Sequence, residues 1–436
     1  MARRRIVVVG GGAAGATAAS KAKRVDPSAE VILVEASPYI THAPCAVPYA
    51  LMGRIRPYLY TPDQFAAEKG VRVYANTTAE ASEGNRIRLR GAHNGVLEWD
   101  FLIIATGASP RPLNVEGIDL KGVYVIHHPA GLEAIREGLL GAERVVVVGG
   151  GYVGLETAEA LLSAGKKVVV VESGRWLLGR TLDADMARLV NEYFSVAGGE
   201  LRLGETLLRI GGNGRVEYVE TSGGRVEADA VVLAVGVKPN VELAVALGAK
   251  LGETGAVWTD RYLETSMPNV YAAGDVAETT HAVTRRPVWI PLAPYANKMG
   301  YVAGFNAGYG EKRLEFPPVV GVSVTKFFDM YIGKAGLSEE EARRAGLNVR
   351  SAVAVARDRA PFMQESRELH VKAVASGDIL VGVEVVGRTP YVAAVVDMAA
   401  QLIGKPIPSV ILAEYSYMPH TGPVWHPLIS AARMLD

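Results

Sequence analysis

Residues 6–15 read IVVVGGGAAG, and residues 144–156 read RVVVVGGGYVGLE. Each is a short β-branched run that stops at Gly-x-Gly-x-x-Gly: Gly10, Gly12 and Gly15 in the first, Gly149, Gly151 and Gly154 in the second. Ala13 and Ala14 complete the first turn, Tyr152 and Val153 the second, and a helical pattern follows each. In a strand–turn–helix setting the glycines have separate tasks. One permits the tight turn, one lets backbone approach a pyrophosphate, and one lets helix pack on strand, while free N–H groups at the helix start bind phosphate charge. The next strand of each unit closes the pattern: VILVE ends at Glu35 and KKVVVVESG carries Glu172, each about 20 residues past its loop, where an acid meets ribose hydroxyls. A lone glycine loop says little. Two loops in full context predict an α/β chain with two Rossmann-like dinucleotide-binding units.

The chain has 436 residues, enough for about three domains. Lys plus Arg equals Asp plus Glu at 46 each, so no net field attracts nucleic acid or an anionic membrane, and neither is expected as a partner. Half the residues are hydrophobic and 48 are glycine, which suits buried parallel strands joined by tight turns. A single cysteine allows no intrachain disulfide and no zinc-type cysteine cluster. No metal site is expected, and a cytoplasmic location is. The start, MARRRIVVVGGGAAGATAAS, has the arginines, apolar stretch and small residues of a signal peptide, but the nucleotide loop accounts for it better. No uninterrupted apolar run reaches roughly 18 residues, so no membrane-spanning helix is expected.

Two dinucleotide units suggest one flavin and one nicotinamide, because a flavin accepts a hydride from NAD(P)H and passes electrons onward. Two more stretches agree. FLIIATGASPRP (Phe101 to Pro112) is a strand running into Ala105, Thr106 and Gly107, and TSMPNVYAAGDVAE (Thr265 to Glu278) ends a strand in Gly274-Asp275. Together these motifs resemble the FAD-dependent pyridine nucleotide-disulfide oxidoreductases over essentially the whole chain. The resemblance implies that Gly10, Gly12, Ala13, Ala14, Gly15, Glu35, Ala105, Thr106, Gly107, Gly274 and Asp275 hold FAD, with Asp275 bonding the ribityl chain. It implies that Gly149, Gly151, Tyr152, Val153, Gly154, Glu156, Glu172 and Gly236 hold NADH or NADPH. Asp275 would serve equally as the N-cap of a helix begun by VAETT. Tyr152 matches an aromatic covering the nicotinamide and Glu156 an acid near it; a core aromatic and an acid facing the helix dipole are the alternatives. Glu172 favours NADH, whereas Arg175 and Arg180 keep NADPH open.

YITHAPCAVPYALMG (Tyr39 to Gly53) holds the one cysteine, Cys45, about ten residues past the acid of the first unit. Buried packing is the common fate of a lone cysteine. Here the following residues read as a helix whose N-terminal dipole would stabilise a thiolate, Pro44 lacks an N–H, and His42 either adds positive charge or is a hydrogen-bonded loop histidine. The family usually places a second cysteine five positions on, but position 50 is Ala, which excludes internal dithiol exchange. The segment instead is similar to the single-cysteine branch, and most to coenzyme A disulfide reductases and CoA-dependent NAD(P)H sulfur or polysulfide reductases, although Ala46 replaces an expected glycine. Oxidase and peroxidase members carry a histidine where this chain has Ala13, which disfavours peroxide chemistry.

The resemblance implies that reduced flavin cleaves a Cys45–S–CoA mixed disulfide and that the freed thiolate attacks fresh CoA disulfide or polysulfide. Tyr417 of the partner subunit would protonate the leaving thiolate, with Tyr415 a near alternative; Phe362 stands where a second tyrosine belongs. Ser20, Lys21 and Arg24 fall where CoA phosphates are bound, with a solvated helix face as the alternative, and His42 and Asn297 would line the CoA site. The expected layout is a discontinuous FAD-binding domain over about residues 1–110 and 237–310, an NAD(P)H-binding domain over 111–236 and an α+β C-terminal dimerisation domain over 311–436. The expected activity is FAD-dependent NAD(P)H reduction of CoA disulfide, extending to polysulfide or sulfur, in a homodimer. An NADH oxidase making peroxide or water is the nearest rival, and a flavin-containing redox-sensing scaffold the rival of another class.

Overall fold

The computed structural model describes residues 4–41, 43–51, 53, 55–56, 59–129 and 131–436. The strand before the first glycine loop, Arg5–Val9, lies at the centre of a five-stranded parallel sheet ordered Val270–Ala272, Phe101–Ile104, Arg5–Val9, Glu30–Val34, Arg72–Tyr74. The strand before the second loop, Arg144–Val148, occupies the same position in a second parallel sheet ordered Glu200–Leu203, Lys167–Glu172, Arg144–Val148, Ala230–Leu233, Val123–Val125. Both central strands are buried on two faces, which is why their sequences are continuous valine and isoleucine runs and not alternating ones. The repeat extends to a three-stranded antiparallel insert in each unit, Thr77–Ala81 with Arg86–Gly91 and Gly95–Glu98 in the first, Leu207–Gly211 with Tyr218–Thr221 and Gly224–Glu227 in the second.

The chain leaves the first sheet through Ala108–Pro110 and returns to it through Val237–Pro239, and these two strands pair antiparallel. Thr106 Oγ1 donates to the Asn240 carbonyl at 2.7 Å, and Asn240 Nδ2 donates back to the Thr106 carbonyl at 2.9 Å. Behind the first loop, the helix Ala13–Val25 packs on the helix Ala293–Tyr309 so closely that only small residues fit. A Cβ on Gly300 or Gly304 would stand 2.1 and 2.3 Å from the carbonyl oxygens of Ala14 and Ala18.

Residues 322–387 form a five-stranded antiparallel sheet ordered Val322–Phe327, Met330–Gly336, Ile379–Gly387, Glu368–Ser376, Val349–Arg357, covered by the helices Tyr391–Leu402 and Pro427–Ala432. The stretch SEEEARRAG forms the helix Glu339–Arg344, started by a reciprocal capping box between Ser338 and Glu341. A buried charge cluster locks this region to the second nucleotide unit. Lys372 Nζ, its side chain 4% exposed, lies 3.1 Å from Asp183 and 3.0 Å from both Asp185 and Glu339. Asp183 in turn accepts the N–H groups of Glu339 and Glu340 at 2.8 and 3.0 Å, capping a helix that belongs to the other sheet's layer. Among the described residues, no helix is long and apolar enough to cross a membrane.

Candidate active site

The two glycine loops are built alike. Gly10 and Gly149 have φ of +104° and +108°, and a Cβ at either would collide with a carbonyl oxygen of the neighbouring strand end, Ala105 at 2.1 Å or Ala234 at 2.3 Å. Gly15 and Gly154 let each helix approach its loop; their Cβ atoms would meet the Gly10 and Gly149 carbonyl oxygens at 1.8 and 1.9 Å. Gly12 and Gly151 are different: a Cβ there would meet nothing within 4 Å. Those two glycines border open space at a helix N-terminus, the cradle a pyrophosphate fills.

The acids are held in matching frames. Glu35 accepts the N–H of Gly11 at 2.5 Å on one oxygen and that of Ser37 at 2.6 Å on the other. Glu172 accepts Gly150 and Gly174, each at 2.6 Å, in the same way. Six residues past each acid, a residue with positive φ, Thr41 or Leu178, donates its N–H to the Gly11 or Gly150 carbonyl at 2.8 Å. Each carboxylate is thereby fixed in orientation with remaining lone pairs for ribose hydroxyls. Arg175 and Arg180 are both exposed beyond Glu172.

Asp275 follows the strand Val270–Ala272 in a turn whose Gly274 has φ of +81°. The alternative role as a helix N-cap fails, because a turn, a bridge at Ala277 and the strand Thr279–Thr280 follow it. Its carboxyl has no hydrogen-bond partner among the described residues, and burial alone pushes its pKa up to about 6. The Trp289 indole N–H holds the Asp275 carbonyl at 2.7 Å, fixing the turn. A half-buried carboxylate without a protein partner among the described residues, next to the first loop's open phosphate cradle, fits a polar cofactor chain. These residues could hold FAD at the first loop and NAD(P)H at the second.

Tyr152 and Glu156, offered as nicotinamide neighbours, also tie the second nucleotide helix to the antiparallel sheet. Along the helix Tyr152–Ser163 three side chains meet the strand Val322–Phe327 in succession. Tyr152 OH pairs with Ser323 Oγ at 2.6 Å, Glu156 accepts Thr325 Oγ1 at 2.7 Å, and Glu159 pairs with Lys326 Nζ at 2.6 Å. Burial raises the pKa of Glu156.

Cys45 is exposed, in a 3-10 turn Pro44–Ala46 that continues into the helix Val47–Leu51. That helix is only five residues long, so the expected dipole support for a thiolate is slight. The turn is positioned from both ends: Thr41 is bonded to the first loop, and Val47, Ala50 and Leu51 are buried with Leu155 and Ala158 of the second unit. The sequence reading passed over Tyr49, half-buried on the same short helix, with Lys326 Nζ 5.8 Å from its ring centroid. Its position four residues after Cys45 was the available signal. His42 lies outside the described residues.

The residues expected to meet CoA lie together on one surface made by two helices. Thr17 Oγ1 donates to Asn297 Oδ1 at 2.8 Å, and Lys21 Nζ donates to Tyr301 OH at 2.9 Å and sits 4.2 Å above its ring. Arg24 is exposed one turn on, while Ser20 Oγ bonds back to the Ala16 carbonyl. Tyr417 and Phe362 are exposed on adjoining segments joined by the Ala360 N–H to Pro419 carbonyl bond, whereas the Tyr415 hydroxyl is spent on the Val424 carbonyl. Among the described residues, no hydrogen bond or ring contact links Tyr417 to the Cys45 segment of the same chain.

The family model for pyridine nucleotide-disulphide oxidoreductases matches residues 4–300, and the model for the dimerisation domain of the same family matches 322–413. The chain belongs to this family. It is a flavin- and NAD(P)H-dependent oxidoreductase with the family's dimerisation domain. It is 42% identical to the NAD(P)H coenzyme A polysulfide/persulfide reductase of Pyrococcus horikoshii, over 96% of this chain and 95% of that one. It is 33% identical to an NADH oxidase of Methanocaldococcus jannaschii over 95% of each chain. Among solved structures, the NAD-dependent persulfide reductase of A. fulgidus superposes with a TM-score of 0.95 at 33% identity, covering 99% of this chain and 83% of that one.

Proposed function

We propose that the chain is an FAD-dependent NAD(P)H reductase of CoA-linked sulfur, acting on CoA disulfide and on CoA-activated persulfide or polysulfide, with Cys45 as the redox sulfur. The observation that carries this reading is one exposed thiol, set between the two nucleotide units, in a chain with no second cysteine. Any disulfide formed there in turnover joins Cys45 to a diffusible thiol. The family match, the CoA-dependent relative at 42% identity and the two-helix surface of Lys21, Arg24 and Asn297 support CoA as that thiol.

Bound flavin supplies the relay that turns a hydride from NAD(P)H into an electron pair for sulfur. The chain's own residues do the rest. The Cys45 thiolate attacks one sulfur of CoA disulfide, expelling CoA thiolate and forming the Cys45–S–CoA bond; two electrons then cleave that bond to restore Cys45 and release the second CoA. The sum is NADH plus a proton plus CoA disulfide giving NAD⁺ and two CoA thiols. In this reading Tyr417 from a second copy protonates the leaving thiolate, which makes the working unit a homodimer. Phe362 cannot share that role. The fixed carboxylate of Glu172 favours NADH as donor, and the enzyme works in the cytoplasm.

The test is intact mass of the purified holoenzyme after exposure to CoA disulfide, before and after reductant. A reducible adduct of one CoA per chain, absent in Cys45→Ser, is the expected result. Cys45 found oxygenated and never carrying CoA overturns the reading in favour of the oxidase. Slow NADH turnover with every disulfide or sulfur acceptor overturns it in favour of a redox-sensing scaffold.

A further inference from the structure

The outer face of the helix Ala293–Tyr309 carries aromatic rings where a merely solvated face would carry charge. Tyr301, Phe305 and Tyr309 follow Asn297 at intervals of four residues, which sets all four on one side of the helix. Tyr301 and Tyr309 are each 43% exposed, and Phe305 is partly buried. Lys21, on the helix Ala13–Val25, lies across the row, its Nζ 4.2 Å from the Tyr301 ring centroid and 5.0 Å from that of Phe305. Among the described residues, neither Lys21 nor Arg24 has a carboxylate partner, whereas Lys23 between them is turned onto the Pro27 and Ala29 carbonyls at 2.8 Å. At the far end Tyr309 is covered by the Arg313 guanidinium at 4.6 Å, and Arg313 is paired with Glu311. The rings left for a ligand are those of Tyr301 and Phe305. They are not needed to join the two helices, because Gly300, Gly304 and Gly308 already bring the backbones together.

We propose that Tyr301 and Phe305 are the seat on which the adenine of CoA stacks, with Lys21 and Arg24 holding the phosphates beside it. The proposal rests on the reading that CoA is the diffusible thiol, and adds which end of CoA lies where. Thr17 and Asn297, bonded at 2.8 Å, mark the end of the two-helix surface nearer the first glycine loop, to which Thr41 of the Cys45 segment is also bonded. Tyr301 and Phe305 stand about 6 and 12 Å further along the helix. The thiol end of CoA therefore points toward the loop and its nucleotide end toward the rings. A purine offers a flat π-face, and an aromatic side chain stacks on it whatever its edge pattern. The lysine now resting on the rings is no obstacle. Its charge-assisted bond to a phosphate is stronger than its bond to the Tyr301 phenol, so an arriving phosphate draws the ammonium aside and frees the ring faces.

The experiment is calorimetric titration of adenosine 3′,5′-bisphosphate, the nucleotide end of CoA, into the FAD-loaded enzyme kept saturated with NAD⁺, so that both glycine loops are already filled. One site per chain is expected. Its Kd should rise about tenfold in Tyr301→Leu and in Phe305→Leu, the loss of one stacking partner for a base. Leucine keeps the helix, and the flavin's visible absorbance reports that each variant is folded. Inorganic pyrophosphate, which has no base, separates the two contributions: Lys21→Met should weaken it about fivefold, and the ring substitutions should leave its Kd unchanged. No binding of the bisphosphate, an unchanged Kd in both ring variants, or an equal loss of pyrophosphate binding in them overturns the proposal. Should Phe305→Leu lose flavin, Tyr301→Leu decides alone, since that ring is exposed. No thiol takes part in the titration, so the two readings fail separately. Ring-dependent binding in an enzyme whose Cys45 never carries CoA upholds the nucleotide seat and sinks the sulfur acceptor; a CoA adduct on Cys45 with ring-independent binding sinks the seat alone.

Discussion

The two nucleotide units share glycines, acids, inserts and even the positive-φ residue six positions past the acid, yet their helices do different work. At the first, fifth and eighth positions the first helix carries Ala13, Thr17 and Ser20, and the second carries Tyr152, Glu156 and Glu159. The first helix buries its alanine stripe against Gly300, Gly304 and Gly308 and leaves a polar face of Thr17, Lys21 and Arg24 toward solvent. The second helix spends the matching positions on three bonds to Ser323, Thr325 and Lys326. One backbone frame thus yields a surface open to a small molecule in one unit and a domain junction in the other. Side-chain length at three positions makes the difference.

The comparison is broken most severely at the glycines that seat each helix. Gly15→Val should give a chain with little or no bound flavin, whereas Gly154→Val should keep the flavin's visible absorbance and raise the NAD(P)H KM about tenfold or more, because each added side chain meets a carbonyl oxygen at contact far below van der Waals distance. Loss of flavin in both variants would show that the units do not bind independently.

Lys372→Met attacks the junction that only the second unit has. It leaves Asp183, Asp185 and Glu339 without their shared cation, and a loss of about 3–5 kcal/mol in denaturant unfolding is expected for breaking a buried pair from one side. The matched acids give a smaller and more selective test. Glu172→Gln should raise the NADH KM roughly tenfold with less effect on NADPH, and Glu35→Gln should weaken flavin retention while leaving the nicotinamide KM alone.

The same junction also carries a pH dependence, at Glu384, whose carboxyl receives the Asp183 N–H. Burial and the neighbouring Asp183 push its pKa up to about 9. A pKa raised in the folded state means the native form holds a proton that the unfolded chain has released, so this contribution is complete below the ordinary value of 4.5 and is lost as pH rises through 9. Stability of the wild type relative to Glu384→Gln should therefore fall between pH 5 and 9 by up to about 1.4 kcal/mol per unit, measured by denaturation at several pH values.

Much of the site was legible because its demands are local. A loop that turns at φ near +100° and lets a carbonyl oxygen approach needs glycine at fixed spacing, and an acid that caps its own loop must stand at the end of the next strand. Cys45 was legible because a chain with one thiol cannot make an internal disulfide. The alternative of a helix after Asp275 failed, since VAETT gives a turn, a bridge from Ala277 to Val257 and a short strand paired with Pro287–Val288. Lys372 and Asp183 carried no signal, being buried partners 189 positions apart, one on a strand of the antiparallel sheet and the other at the start of a helix in the second nucleotide unit. Tyr152, Glu156 and Glu159 lie in or beside a recognisable motif, but nothing in it names Ser323, Thr325 or Lys326 as their partners.

The sequence by itself determined two dinucleotide units, their acids, a lone redox-capable thiol and the family, because each follows from backbone geometry or chemistry within about 30 residues. Only the tertiary structure decided which helix faces outward and which is tied to the antiparallel sheet, and that the Tyr415 hydroxyl is already spent. Those outcomes depend on side chains meeting across long stretches of chain, and such meetings are set by the packing of whole layers, which no local pattern encodes.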